Sequence, residues 1–149
     1  MGGGRVLGID AGERRVGLAL SDELRLLARP LRVLRRDHGL APVLDEIQAI
    51  ATAERVAQVV VGWPINADGS IGRQARRAAE FARTAQRVLG LPVQLWDERF
   101  STQEARALLR AQGDRGRVRS RGEVDAVAAA VMLQDYLDAQ GGAHEARAS

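Results

Sequence analysis

Three acids in this chain stand out by their neighbours rather than by their type. Asp10 closes the apolar run Val6 to Ile9, Glu98 follows the run Leu91 to Trp96, and Asp125 opens an apolar segment with helical spacing. Adjacent strands of a sheet lie about 4.8 Å apart, so carboxylates at corresponding strand ends can converge on one point. A helix whose first turn lands beside them supplies the third. Oxygen-only ligands suit a hard divalent ion such as Mg²⁺ or Mn²⁺. Two such ions roughly 3.5–4 Å apart activate water and stabilise the leaving oxygen of an in-line displacement, with no protein nucleophile required. Without a metal, three converging carboxylates repel one another and at least one pKa rises. The same residues also suit plainer roles: a turn acid before Gly12, a first-turn helix acid, and a carboxylate at a helix N-terminus. Spacing alone leaves both interpretations open.

The elements that must position these acids follow from the apolar pattern. Val6–Ile9 and Val16–Leu20, separated by a link containing Gly12, predict a β-hairpin. Leu24 to Leu34, with Pro30 inside it, predicts a third strand at an edge or with an irregularity. Ala41 to Ala53 predicts an amphipathic helix with Pro42 near its first turn. Val59–Val61 predicts a strand buried on both faces, and Ile71 to Leu89 a helix with an Arg-rich face ending at Gly90. Leu91 to Trp96 is a short strand, after which Ser101 or Thr102 caps a helix reaching about Leu109. Val124 to Leu137 is a closing helix with an Ala-rich stripe. Antiparallel strands first and βαβ alternation afterwards imply an α/β fold, a five-stranded mixed sheet flanked by helices on both faces. Residues 1–140 read as a single domain and 141–149 as a disordered tail.

Composition bounds the function classes. The chain has 149 residues, no cysteine, and 22 basic residues against 19 acidic ones; every basic residue is Arg. A Cys-based metal site or disulfide framework is excluded. No apolar run approaches the roughly 20 residues needed to span a bilayer, and the first residues lack a signal-peptide core, so a cytoplasmic protein with no membrane partner is expected. The net charge of +3 is small, and the Arg excess fits codon bias as readily as nucleic-acid binding. Placement is more telling. Arg110, Arg115, Arg117, Arg119 and Arg121 stand against one Asp in a Gly-bearing stretch just before Asp125. If each neutralised one phosphate, log affinity would fall against log salt by about 0.9 per contact on a duplex. Arg73, Arg76, Arg77, Arg83 and Arg87 could extend that track along the second helix. Trp63, next to Pro64, could stack on a base or cover the core.

Five blocks carry a resemblance. Gly8-Ile9-Asp10-Ala11-Gly12-Glu13-Arg14-Arg15-Val16-Gly17, Val60 to Ser70, Asp97-Glu98-Arg99-Phe100-Ser101-Thr102, Val124-Asp125-Ala126-Val127-Ala128-Ala129 and Leu133-Gln134-Asp135-Tyr136-Leu137 resemble the signature blocks of the YqgF family, also called RuvX. The resemblance runs in order from Val6 to Leu137. It implies an RNase H-like fold and metal-dependent cleavage of structured nucleic acid, with a cellular role in maturing the 5′ end of 16S ribosomal RNA from its precursor. The family's acidic positions fall on Asp10, Glu98 and Asp125, making these the expected catalytic residues and ligands of Mg²⁺ or Mn²⁺. Arg15 and Arg99 match family basic positions, with phosphate-binding or carboxylate-orienting roles. Two departures stand out: Trp63 replaces a small aliphatic residue, and Arg119 and Arg121 stand where the family tends to use Lys, which changes a point charge into a bidentate donor.

Three further readings remain. A Holliday junction resolvase would share the acids and act on branched DNA as a symmetric homodimer, whereas a pre-rRNA nuclease could be a monomer. A sugar kinase or actin-like ATPase also begins with a strand and Asp-x-Gly but needs two such domains. A non-catalytic RNA-binding module would tolerate Asp10→Asn and Glu98→Gln.

Overall fold

Alternate residues of β1 (Arg5–Ala11) belong to two different cores, because both faces of the strand are covered. The computed structural model describes residues 3–98 and 121–148, with side chains described at 3–98 and 125–141. β1 pairs antiparallel with β2 (Arg15–Ser21), which pairs antiparallel with β3 (Ala28–Arg35). The helix α1 (Leu40–Ala53) leads to β4 (Val56–Trp63), parallel to β1, and α2 (Arg73–Leu89) leads to β5 (Val93–Asp97), parallel to β4. The sheet order is therefore β3-β2-β1-β4-β5, closed by the helix α3 (Arg121–Ala148). The expected five-stranded mixed sheet with helices on both faces is present.

On one face Leu7, Ile9, Val16, Leu18, Leu20, Val59 and Val61 pack with Val43, Leu44 and Ile47 of α1 and Phe81 of α2. On the other, Val6, Ala19 and Val60 meet Ala129, Ala130, Leu133 and Tyr136 of α3. Small residues let α3 lie close to the sheet. A Cβ on Gly8 would stand 2.8 Å from that of Leu133, and one on Gly17 would overlap the carbonyl of Asp125. Both glycines are fixed by approach rather than by a turn.

Several boundaries differ from the sequence expectation. The third strand starts at Ala28, because the Asp22 carboxylate accepts from the amides of Leu26 (2.7 Å) and Leu27 (3.1 Å) and holds residues 22–27 as a loop. Leu24, Leu26 and Leu27 are consequently exposed. Pro30 marks a register shift on the edge strand, as expected. α2 begins at Arg73 and ends at Gly90, whose left-handed φ of 67° closes the helix with a bond to the Gln86 carbonyl. α3 begins at Arg121 rather than Val124, and it runs through the segment expected as a tail, to Ala148. The expected helix to Leu109 lies outside the described residues. Among the described residues no helix is long and apolar enough to cross a membrane.

Candidate active site

Asp10 lies one residue from the end of β1, flanked in register by Gly17 of β2 and, one position beyond the Ile9–Val61 pair, by Gly62 of β4. Residues in register point to the same face of a sheet, here the face beneath α3. Both neighbours therefore withhold a Cβ at the level of the Asp10 carboxylate. The two spaces are filled differently. At Gly17 the backbone of α3 comes in at Asp125, while at Gly62 a Cβ would overlap the Glu98 carboxylate and sit 3.3 Å from Met132. Two glycines on either side of one acid thus admit the elements that carry the other two acids.

The electrostatics reflect that crowding. The Asp10 carboxyl is pushed up from 3.8 to about 6, first by burial and then by the negative charge of Asp125. Asp125 is held in turn by Arg15, whose Nε donates to its Oδ2 at 2.8 Å. Both side chains are about one-third exposed (33% and 31%), so this ion pair orients more than it stabilises. Asp125 sits one turn inside α3 rather than opening it, because the helix starts at Arg121.

The expected residues are thus partly gathered. The charge of Asp125 acts on Asp10, Glu98 borders the same end of the sheet against Gly62, and Arg15 orients Asp125. Among the described residues, however, no three His, Cys, Asp or Glu side chains form a group that could hold a metal ion as they stand. In donor chemistry the acids do fit a hard cation: all are oxygen ligands, and the charge of Asp125, which after burial adds to the raised pKa of Asp10, is one a cation would offset. Arg99, Arg110, Arg115, Arg117 and Arg119 lie outside the described residues, and only the backbone of Arg121 is described.

Sequence reasoning missed Gly17 and Gly62 as parts of the site. An isolated glycine inside an apolar strand signals close approach, but not by what. Trp63 is half-buried over the core: its Nε1 donates to the Ala75 carbonyl at 3.1 Å and its ring packs against the α1/α2 core. The following loop is tied to itself, with the Asp68 Oδ1 accepting from the Ser70 amide (2.9 Å) and hydroxyl (2.6 Å).

Comparison with known proteins decides the family. The model of the family described as "RuvX: Holliday junction resolvase" matches residues 4–139. The chain belongs to the RuvX family. A RuvX-like relative from Anaeromyxobacter sp. (strain Fw109-5), named as a proposed pre-16S rRNA nuclease, is 49% identical over 134 residues, covering 90% of this chain and 96% of the relative. One from Syntrophus aciditrophicus (strain SB), of the same name, is 41% identical over 140 residues, covering 91% and 89%. Among solved structures, T. thermophilus RuvC in complex with a Holliday junction substrate superposes with a TM-score of 0.62 at 16% identity, over 93% of this chain and 96% of that one. The RuvX chain therefore has the RNase H-like fold of RuvC.

Proposed function

We propose that this chain is a divalent-metal-dependent nuclease that hydrolyses phosphodiester bonds in structured RNA and processes the 5′ end of precursor 16S rRNA in the cytoplasm. The observation that carries this reading is Asp10, crowded by Asp125 on one side and set beside the Glu98 carboxylate on the other through two in-register glycines. The names of the relatives support the RNA substrate, and membership of the RuvX family supports nuclease chemistry.

Asp10, Glu98 and Asp125 would hold Mg²⁺ or Mn²⁺, which supplies activation of water and stabilisation of the leaving oxygen. The chain's own contribution is placement. Burial of Asp10 excludes part of the solvent that would screen its charge, Arg15 holds Asp125 in one orientation, and Gly17 and Gly62 fix how near the other two acids approach. The arginines from Arg110 to Arg121, together with Arg99, supply phosphate contacts that position the backbone.

The family description favours a second reading, a Holliday junction resolvase acting on branched DNA as a homodimer. One experiment separates the readings. Purified protein is incubated with labelled precursor 16S rRNA, single strands or four-way junctions, in Mg²⁺, Mn²⁺ or EDTA, beside Asp10→Asn. The proposal expects cleavage of the precursor in metal only, with the variant slower by about 10³-fold or more, the equivalent of several kcal/mol of metal-dependent stabilisation. Cleavage that survives EDTA or Asp10→Asn overturns the metal site. Preference for the junction transfers the assignment to resolution, and binding without cleavage in any metal leaves an RNA-binding module.

A further inference from the structure

β1 and β2 meet at a turn that carries a site residue at each end: Asp10 on the way in and Arg15, which holds Asp125, on the way out. The turn is tight. The Gly12 amide donates to the Arg15 carbonyl at 3.0 Å and to the Asp10 carbonyl at 3.1 Å, and a Cβ on Gly12 would stand 2.6 Å from that Arg15 oxygen. Glu13 and Arg14 at its tip are exposed, so hydrogen bonds rather than packing must hold the tip in place.

One residue from outside the hairpin makes two of those bonds. The Arg36 amide donates to the Arg14 carbonyl at 2.9 Å, which extends the β2–β3 ladder one residue past the Arg15–Arg35 pair. The Arg36 side chain then reaches over Glu13, and its Nη1 donates to the Gly12 carbonyl at 2.8 Å. The side chain is half-buried, and among the described residues it forms no ion pair with a carboxylate. A bond from a charged donor is stronger than one between neutral groups, and the rigid guanidinium fork fixes its direction as well as its length. Two carbonyls of the turn are thus anchored to the end of β3.

We infer that Arg36 is a positioning residue of the carboxylate site: by gripping the Gly12 carbonyl it fixes the turn that sets Asp10 against Arg15, and through Arg15 the orientation of Asp125. Arg36 acts on the protein rather than on nucleic acid, in contrast to the arginines from Arg110 to Arg121. The inference rests on the nuclease reading for its consequence at the metal, whereas the chain of contacts from Arg36 to Gly12, Arg15 and Asp125 stands without it.

The test uses the whole ¹⁵N-labelled chain at neutral pH, as wild type, Arg36→Gln, Arg36→Lys and a control, Arg29→Gln, at the opposite end of β3. Exchange of arginine Nε–H with water is followed by nuclear magnetic resonance in EDTA, and Mn²⁺ affinity by electron paramagnetic resonance. Wild type should show a slowed Nε–H signal that is missing from Arg15→Gln. In Arg36→Gln that signal should exchange about tenfold faster, as expected for one lost hydrogen bond to a charged group. The amides of Val59 to Val61, buried in β4, should keep their wild-type exchange, and Mn²⁺ should bind several-fold more weakly. Arg36→Lys retains one charged donor and should fall between the two, which also keeps the test standing if Arg36→Gln unfolds; Arg29→Gln should match wild type. Unchanged Arg15 exchange, exchange sped equally at Val59 to Val61, or unchanged Mn²⁺ affinity in a chain that binds the ion overturns the inference. A wild type that binds no Mn²⁺, with Arg15 exchange still dependent on Arg36, overturns the metal reading and leaves the positioning role standing.

Discussion

The face of the sheet beneath α1 and α2 and the face beneath α3 are made from alternate residues of the same strands, yet they are built on opposite rules. The first takes large side chains: Leu7 and Ile9 from β1, Val16, Leu18 and Leu20 from β2, Val59 and Val61 from β4. The second keeps Val6 and Val60 but towards the site takes Gly8 and Asp10 from β1, Gly17 and Ala19 from β2, and Gly62 from β4. Bulk on one face holds the strands together, and the absence of bulk on the other lets a helix backbone and a second carboxylate come down beside a buried acid. A site that crowds negative charge is costly, and here it is backed by a continuous apolar layer one residue away on every strand it uses.

That contrast breaks if the faces respond alike to substitution. The largest loss of stability is expected for Ile9→Ala, which leaves a cavity beneath α1 and α2 and costs about 2–5 kcal/mol by urea unfolding. Cleavage per folded molecule should hold. Gly17→Ala should cost less, about 1–3 kcal/mol, because α3 can lift from the added methyl. It carries Asp125 away with it, so cleavage should fall well beyond the change in folded fraction. Equal specific activities in the two variants would remove the distinction between the faces.

A smaller effect sharpens the electrostatic half of the comparison. The Asp10 carboxyl titrates at 3.8 when unfolded and about 6 when folded, so between those values the folded chain keeps a proton that the unfolded chain has lost. Its contribution to stability therefore falls as pH rises through that window and stays low above it, by on the order of 3 kcal/mol. Unfolding followed from pH 4 to 8 in EDTA should show wild type losing stability relative to Asp10→Asn across this range. Parallel curves would mean that Asp10 is neither buried nor crowded as described.

Much of this was legible in the residues. The apolar runs gave the strands, Gly90 ended α2, and the spacing of acids at strand ends nominated Asp10, Glu98 and Asp125 before any geometry. The misreadings have local causes. Leu24, Leu26 and Leu27 mimic strand alternation, but the Asp22 side chain captures two amides and makes a loop of them. For Trp63 the residues left base stacking and cover of the core open, because nothing in its neighbours discloses that Ala75 offers its indole a carbonyl. The partnership of Gly17 and Gly62 around Asp10 depends on register between distant segments, which no single stretch encodes.

The central claim is that Asp10 anchors a divalent ion at the α3 face. Titration of the whole chain with Mn²⁺, read by electron paramagnetic resonance at neutral pH, tests it without substrate. Wild type should bind Mn²⁺, and Asp10→Asn, folded by circular dichroism, should bind it at least about tenfold more weakly because a charged oxygen ligand has been lost. Equal Mn²⁺ affinity in the two proteins would contradict the account.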